Sequence, residues 1–254
     1  SWLANAITAW KSGDTSMRLK LNYMGDRLDY NSALTTDYFS ELIPDFVQKN
    51  SQRTQSHDLS AQFFSQTNKR EYYLKEKFTA SGVWNKSNSA ITGSFDVDQR
   101  GNRKSLSAAN DLKLVKRNDK KLFTLISRNS LDYRPDRLLI AGEEDAVQSV
   151  GTTDFRSTTE TKFGKLSRFW KYYATTGLDI DYHRMNTALS GLGEFDNYGS
   201  HSAFLSNIYA TPQVDYERGG WRASLRAALK WLHYSVAGQH DYLSAAPRLY
   251  VKRQ

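Results

Sequence analysis

The segment Trp170-Lys171-Tyr172-Tyr173-Ala174-Thr175-Thr176-Gly177-Leu178-Asp179-Ile180-Asp181-Tyr182 decides the fold class. Trp170, Tyr172, Ala174, Thr176, Leu178, Ile180 and Tyr182 fall on one face of an extended chain. Lys171, Tyr173, Thr175, Gly177, Asp179 and Asp181 fall on the other. Such a strand needs an apolar environment on one side and water on the other. Its length matters most. About 13 residues at about 3.3 Å each exceed the usual globular strand of about 5–6 residues and suit a tilted strand crossing a bilayer.

The alternation recurs outward from this segment. Upstream, Phe155, Ser157, Thr159, Thr161 and Phe163 alternate with Arg156, Glu160 and Lys162, and the two segments form a hairpin turning near Lys165–Arg168. A first strand spans Trp2–Trp10, and Met17, Leu19, Leu21 and Tyr23 carry the next. Leu59, Ala61 and Phe63 pair with a return strand bearing Tyr72, Leu74, Phe78, Ala80 and Trp84, where Glu76 breaks the apolar face. Lys104–Val115 pairs with Leu122–Tyr133. Phe204–Tyr216 turns at Arg218-Gly219-Gly220 into Trp221–Trp231, and a last strand starts at Arg248. This reading gives about eleven strands. Tight turns alternate with long connections expected at 31–53, 85–103, 134–148, 186–200 and 235–247, the first with a short helical or hydrophobic element at Tyr38–Val47. Outer-membrane barrels have this asymmetry, whereas a sandwich turns every 8–12 residues or so.

Composition narrows the alternatives. Aromatics make up 13% of the chain, so disorder is excluded. Mean hydropathy is -0.66 and no apolar run reaches the roughly 18 residues of a membrane helix, which leaves β-spanning untouched. The chain lacks cysteine, so it has no disulfide framework and no thiolate metal site. Ser1-Trp2-Leu3 lacks the features of a signal peptide, so a mature chain or a fragment is expected. The net charge of +8 is scattered along strands and no RNA-binding or zinc-finger spacing is present, so no nucleic-acid partner is expected. Trp10, Trp84, Trp170, Trp221, Trp231, Tyr182 and Tyr216 lie near strand ends, as aromatic girdles require.

Some segments resemble a known family. Asn5–Trp10, Met17–Tyr23 with Asp26-Arg27, Asn129–Leu138 and Pro247–Val251 look like successive barrel strands of TonB-dependent outer-membrane receptors of the Bacteroidetes type. The resemblance covers essentially the whole chain through strand patterns. It implies an all-β, antiparallel up-and-down transmembrane β-barrel that takes up scarce nutrients across the bacterial outer membrane. The partners it implies are outer-membrane lipid, the remaining barrel strands, a plug domain and a periplasmic TonB-like energy-coupling protein, with a surface lipoprotein as a further candidate. No plug, coupling box or terminal aromatic strand is recognised within residues 1–254. The expectation is therefore one barrel segment, about half of a larger barrel, completed elsewhere because hydrocarbon does not tolerate open strand edges. The rivals are a self-contained outer-membrane barrel of about 10–12 strands, porin or hydrolase, in which first and last strands would pair, and a soluble β-rich binding module.

The polar strand faces supply the candidate functional residues. Arg18, Lys20, Arg128, Asp132, Arg156, Glu160, Asp179, Asp181, Arg222, Arg226 and Lys230 are expected to line the lumen, with Lys75, Lys77, Asp111, Lys113 and Lys162 beside them. They would pack a plug, guide a polar substrate, or simply solvate the wall. His57-Asp58 and His240-Asp241 are the only adjacent His-Asp pairs, and neighbours on a strand face opposite ways, so neither is a preformed dyad. The run Glu143-Glu144-Asp145 lacks a calcium-loop pattern, and Gly191-x-Gly193 lacks the βαβ context of a dinucleotide site. The chain is read as a non-enzyme without cofactor or metal.

Overall fold

The computed structural model describes residues 1–36, 46–93, 96–142, 145–236 and 238–253. Eleven strands follow one another: β1 (Trp2–Ser12), β2 (Thr15–Thr36), β3 (Phe46–Asn68), β4 (Tyr72–Thr92), β5 (Val97–Asn118), β6 (Lys121–Ala141), β7 (Ala146–Leu166), β8 (Trp170–Ser190), β9 (Asn197–Arg218), β10 (Trp221–Ser235) and β11 (Gln239–Arg253). Each pairs antiparallel with its sequence neighbours in one sheet ordered β1 to β11. Among the described residues the only other element is a 3-10 turn, Gly193–Phe195. The all-β, up-and-down expectation holds.

The hairpin ends have local causes. Gly219 and Gly220 both take positive φ, 60° and 78°, as a two-residue turn compatible with strand twist requires. At the β5–β6 turn the Asn118 side-chain oxygen accepts from the backbone N–H of Lys120 and Lys121, both at 3.2 Å.

Two expectations are corrected. The connections read as long loops are mostly strand: β2 reaches Thr36 and β3 starts at Phe46, β4 reaches Thr92 and β5 starts at Val97, and β6 runs to Ala141. Likewise β11 begins at Gln239 rather than at Arg248. These stretches lack apolar alternation, but backbone hydrogen bonding extends a ladder whatever the side chains are. Most of the element expected at Tyr38–Val47, and Glu143-Glu144 of the acidic run, lie outside the described residues.

The strands are staggered in a regular way. The directly paired row Thr15, Thr67, Leu74, Leu114, Leu125, Thr161, Thr176, Ala210, Leu229 crosses the sheet. Its members are the first residue of β2, the third of β4, the fifth of β6, the seventh of β8 and the ninth of β10. Each hairpin thus steps two residues. At about 3.3 Å per residue and about 4.8 Å between strands, strands tilt by roughly 35° from the normal to the line of turns, the range of barrel walls.

No second layer covers this sheet among the described residues. Among the described residues the only buried hydrophobic one is Ala146, and large apolar side chains such as Phe78, Leu131, Trp170 and Ile208 are 42–45% exposed. β1 pairs with β2 alone and β11 with β10 alone, so β1 does not close onto β11 among the described residues.

Candidate functional site

The pairing register sorts every strand residue onto one of two faces. The row Leu21, Ala61, Ala80, Ala108, Leu131, Phe155, Tyr182, Phe204 lies on the first face. The row Arg18, Phe64, Lys77, Asp111, Arg128, Thr158, Asp179, Asn207 lies on the second. A wall between lipid and water needs this separation.

Aromatics bound the apolar face on two levels. Tyr72, Trp170 and Trp221 are the first residues of β4, β8 and β10, while Trp84, Tyr133 and Tyr182 are the thirteenth residues of β4, β6 and β8. Twelve steps at about 3.3 Å, inclined by roughly 35°, separate the levels by roughly 30 Å, close to the hydrocarbon thickness of a bilayer. The levels follow the line of turns rather than the rows of paired residues. From the far level onward the same face turns polar: Arg27, Gln55, Lys86, Asn102 and Arg137 form a directly paired row.

All eleven expected lumen residues lie on the second face. Arg156 pairs with Asp181 across β7–β8 (Nη2–Oδ2 2.7 Å), and Lys162 with Glu160 (3.0 Å). The Tyr209 hydroxyl donates to Glu160 Oε2 at 3.1 Å, lying across Gly177, where a Cβ would collide with its ring. Asn207 Nδ2 donates to Asp179 Oδ2 at 2.8 Å, and Arg222 Nη2 reaches Glu217 at 3.0 Å. Asp132 faces Asp154 directly across β6–β7. Lys20 and Asp132 border a depression of about 410 Å³ with Asn22, Gln62, Thr79 and Ser130.

Partnering is uneven along the wall. Among the described residues Arg18, Lys20, Lys75, Lys77 and Lys113 on β2–β5 form no ion pair, nor do Arg128, Arg226 and Lys230. Lys75 and Lys113 lie directly opposite each other, an arrangement that destabilises a sheet. Arg18 and Lys75 both approach the Phe64 ring, at 6.0 and 5.7 Å from its centroid. Near the turn end, Arg222 and Lys171 both pair with Glu217, at 3.0 and 3.4 Å.

Among the described residues neither adjacent His-Asp doublet makes a contact within itself, as strand geometry requires. His57 Nδ1 lies 2.8 Å from the Tyr23 hydroxyl, and His240 stacks on Tyr234. The His–Asp contacts are cross-strand: His183 Nδ1 to Asp154 Oδ1 at 2.5 Å, and His233 Nδ1 to Asp241 Oδ1 at 2.8 Å. Counting equal distances from each turn would have found them, since register in a hairpin follows from the turn. No group of three or more metal-ligating side chains occurs among the described residues.

No family model matches the chain, and no curated protein matches it. Among solved structures it is similar to the ferric yersiniabactin uptake receptor FyuA from Yersinia pestis, with 9% identity, TM-score 0.31, and 94% of this chain and 50% of that one covered. It is also similar to the translocator domain of the autotransporter NalP from Neisseria meningitidis, with 14% identity, TM-score 0.24, and coverage of 99% and 85%. The chain spans about half the length of the FyuA chain.

Proposed function

We propose that this chain forms part of the wall of an outer-membrane transport barrel, of the kind found in TonB-dependent nutrient receptors. One observation carries the reading: a single-layer antiparallel sheet, tilted by roughly 35°, bears an apolar band roughly 30 Å tall that tracks its line of turns. A soluble sheet would cover that band with a second layer, and none is present among the described residues. The unpaired edges of β1 and β11 expose ladder groups that hydrocarbon does not tolerate, so further strands complete the barrel. The second face lines the lumen, and its unpaired cations on β2–β5 favour an anionic surface, either of a plug domain or of a solute. A TonB-like coupling protein and a surface lipoprotein are the partners this reading calls for. Its part in transport is positioning and passage, without chemistry of its own.

Single cysteines test the reading, because the chain has none of its own. In isolated envelope membranes Leu225→Cys, in the apolar band, should resist a charged thiol reagent, while Gln55→Cys and Lys20→Cys should react. Equal labelling at all three positions would reject the membrane wall.

A further inference from the structure

Between the aromatic levels the apolar face is interrupted most extensively in the middle strands, at mid-height. Glu76 is the fifth residue of β4, Ser127 and Asn129 the seventh and ninth of β6, and Thr176 the seventh of β8. Asn110, Ser157 and Thr161 fill the positions between them. At the same height β2 and β10 present Leu21 and Leu229. The patch is therefore local, and it lies where lipid exposure is most costly for polar groups.

Its hydrogen bonding is partly internal. Ser157 Oγ donates to Asn129 Oδ1 at 2.6 Å, and Asn129 Nδ2 donates to Ser127 Oγ at 3.2 Å. The Thr161 and Thr176 hydroxyls share one bond at 2.6 Å, so one hydroxyl proton is left over. The Glu76 carboxylate receives only a long bond from Asn110 Nδ2, at 3.4 Å, and no cation among the described residues. The acceptors on β4 thus lack donors, and β8 has a donor to spare.

We propose that this patch is the contact surface for a second copy of the chain within the membrane, joined about a two-fold axis along the membrane normal. The proposal rests on the membrane-wall reading. Such an axis preserves height and reverses lateral order, so β4 of one copy meets β8 of the other and β6 meets itself. Glu76 then faces the hydroxyls of Thr161 and Thr176, and Asn129 faces its own counterpart, whose amide both donates and accepts. The patch is complementary to itself, as an isologous contact requires. Beside it, Ala61, Ala80 and Ala108 form part of a depression of about 560 Å³ that lets a facing wall come close.

Asn129→Cys and Leu225→Cys variants, treated with a short bismaleimide in isolated envelope membranes, test this. Cross-linked dimer is expected for Asn129→Cys and not for Leu225→Cys. Adding Glu76→Leu to Asn129→Cys should weaken association about tenfold, the order expected for losing a polar contact in lipid. If Leu225→Cys resists the charged reagent yet Asn129→Cys does not cross-link, or both positions cross-link equally, the contact is overturned and the membrane wall stands. If Leu225→Cys reacts freely with the charged reagent, both fall together.

Discussion

The turn-proximal and distal halves of each strand share one backbone ladder but not one chemistry. In β2 the near half presents Met17, Leu19, Leu21 and Tyr23 on the outward face, and the far half presents Arg27, Asp29 and Asn31 on that same face. Asp29 there is held by Arg27 (2.9 Å) and, across the strand pair, by Arg53 (2.9 Å). The pairing from Thr15↔Thr67 to Thr36↔Phe46 runs through both halves without a break. The contrast teaches that backbone pairing sets how far the sheet extends, while side-chain polarity sets where along it the apolar band lies.

The sharpest way to break this comparison is to place a charge in each half. Leu21→Arg should cost about 2–4 kcal/mol, as expected for Arg near the bilayer midplane. Asn31→Arg, on the same face beyond the band, should stay within about 0.5 kcal/mol. Urea unfolding from lipid vesicles measures both, and equal costs would erase the distinction between the halves. The line of turns comes next. Gly220→Val forces a β-branched residue to φ 78° and should cost about 1–3 kcal/mol in the same assay, since the level of the band depends on those turns.

A smaller effect probes the polar face of the near half. Tyr209→Phe removes the hydrogen bond to Glu160 and should cost about 0.5–1.5 kcal/mol. Gly177→Ala should reproduce that loss by pushing the Tyr209 ring aside, and the double variant should cost no more than either alone. Additive losses would separate the two positions.

The smallest effect belongs to the far half. Hydrogen bonds from Arg27, then Arg53, hold the Asp29 carboxyl below its ordinary value. A depressed folded-state value stabilises at pH above the unfolded one, near 4, and the contribution disappears as pH falls through the lowered value. Asp29→Asn should therefore lower stability slightly at neutral pH, and the difference from the parent chain should fade as pH falls below about 4. High salt should weaken the contribution, because the pairs are exposed.

How much could be read from the chain differed between these halves for a physical reason. The near half alternates because one face meets an apolar phase, and that forced Trp170–Tyr182, Met17–Tyr23 and Leu122–Tyr133 into view as strands. Tight turns between them gave the antiparallel order and the count of eleven. The far half has water on both faces, so nothing constrains alternation, and 85–92 and 134–141 read as loops although they are strand. The residues of the polar face were legible because they are the complement of the apolar set. The His183–Asp154 contact was not legible from adjacency, since its partners are 29 positions apart.

Alternation, charge placement and turn residues thus determine strand identity, the two faces and the neighbour order, because period-two geometry is local. The tertiary structure alone decided the two-residue step per hairpin, and with it the tilt and the level of the aromatic rings. It also gathered Glu76, Asn110, Asn129, Ser157 and Thr176 into one patch. Those are properties of register between strands, which depends on every hydrogen-bonded pair across the sheet and is written in no single strand.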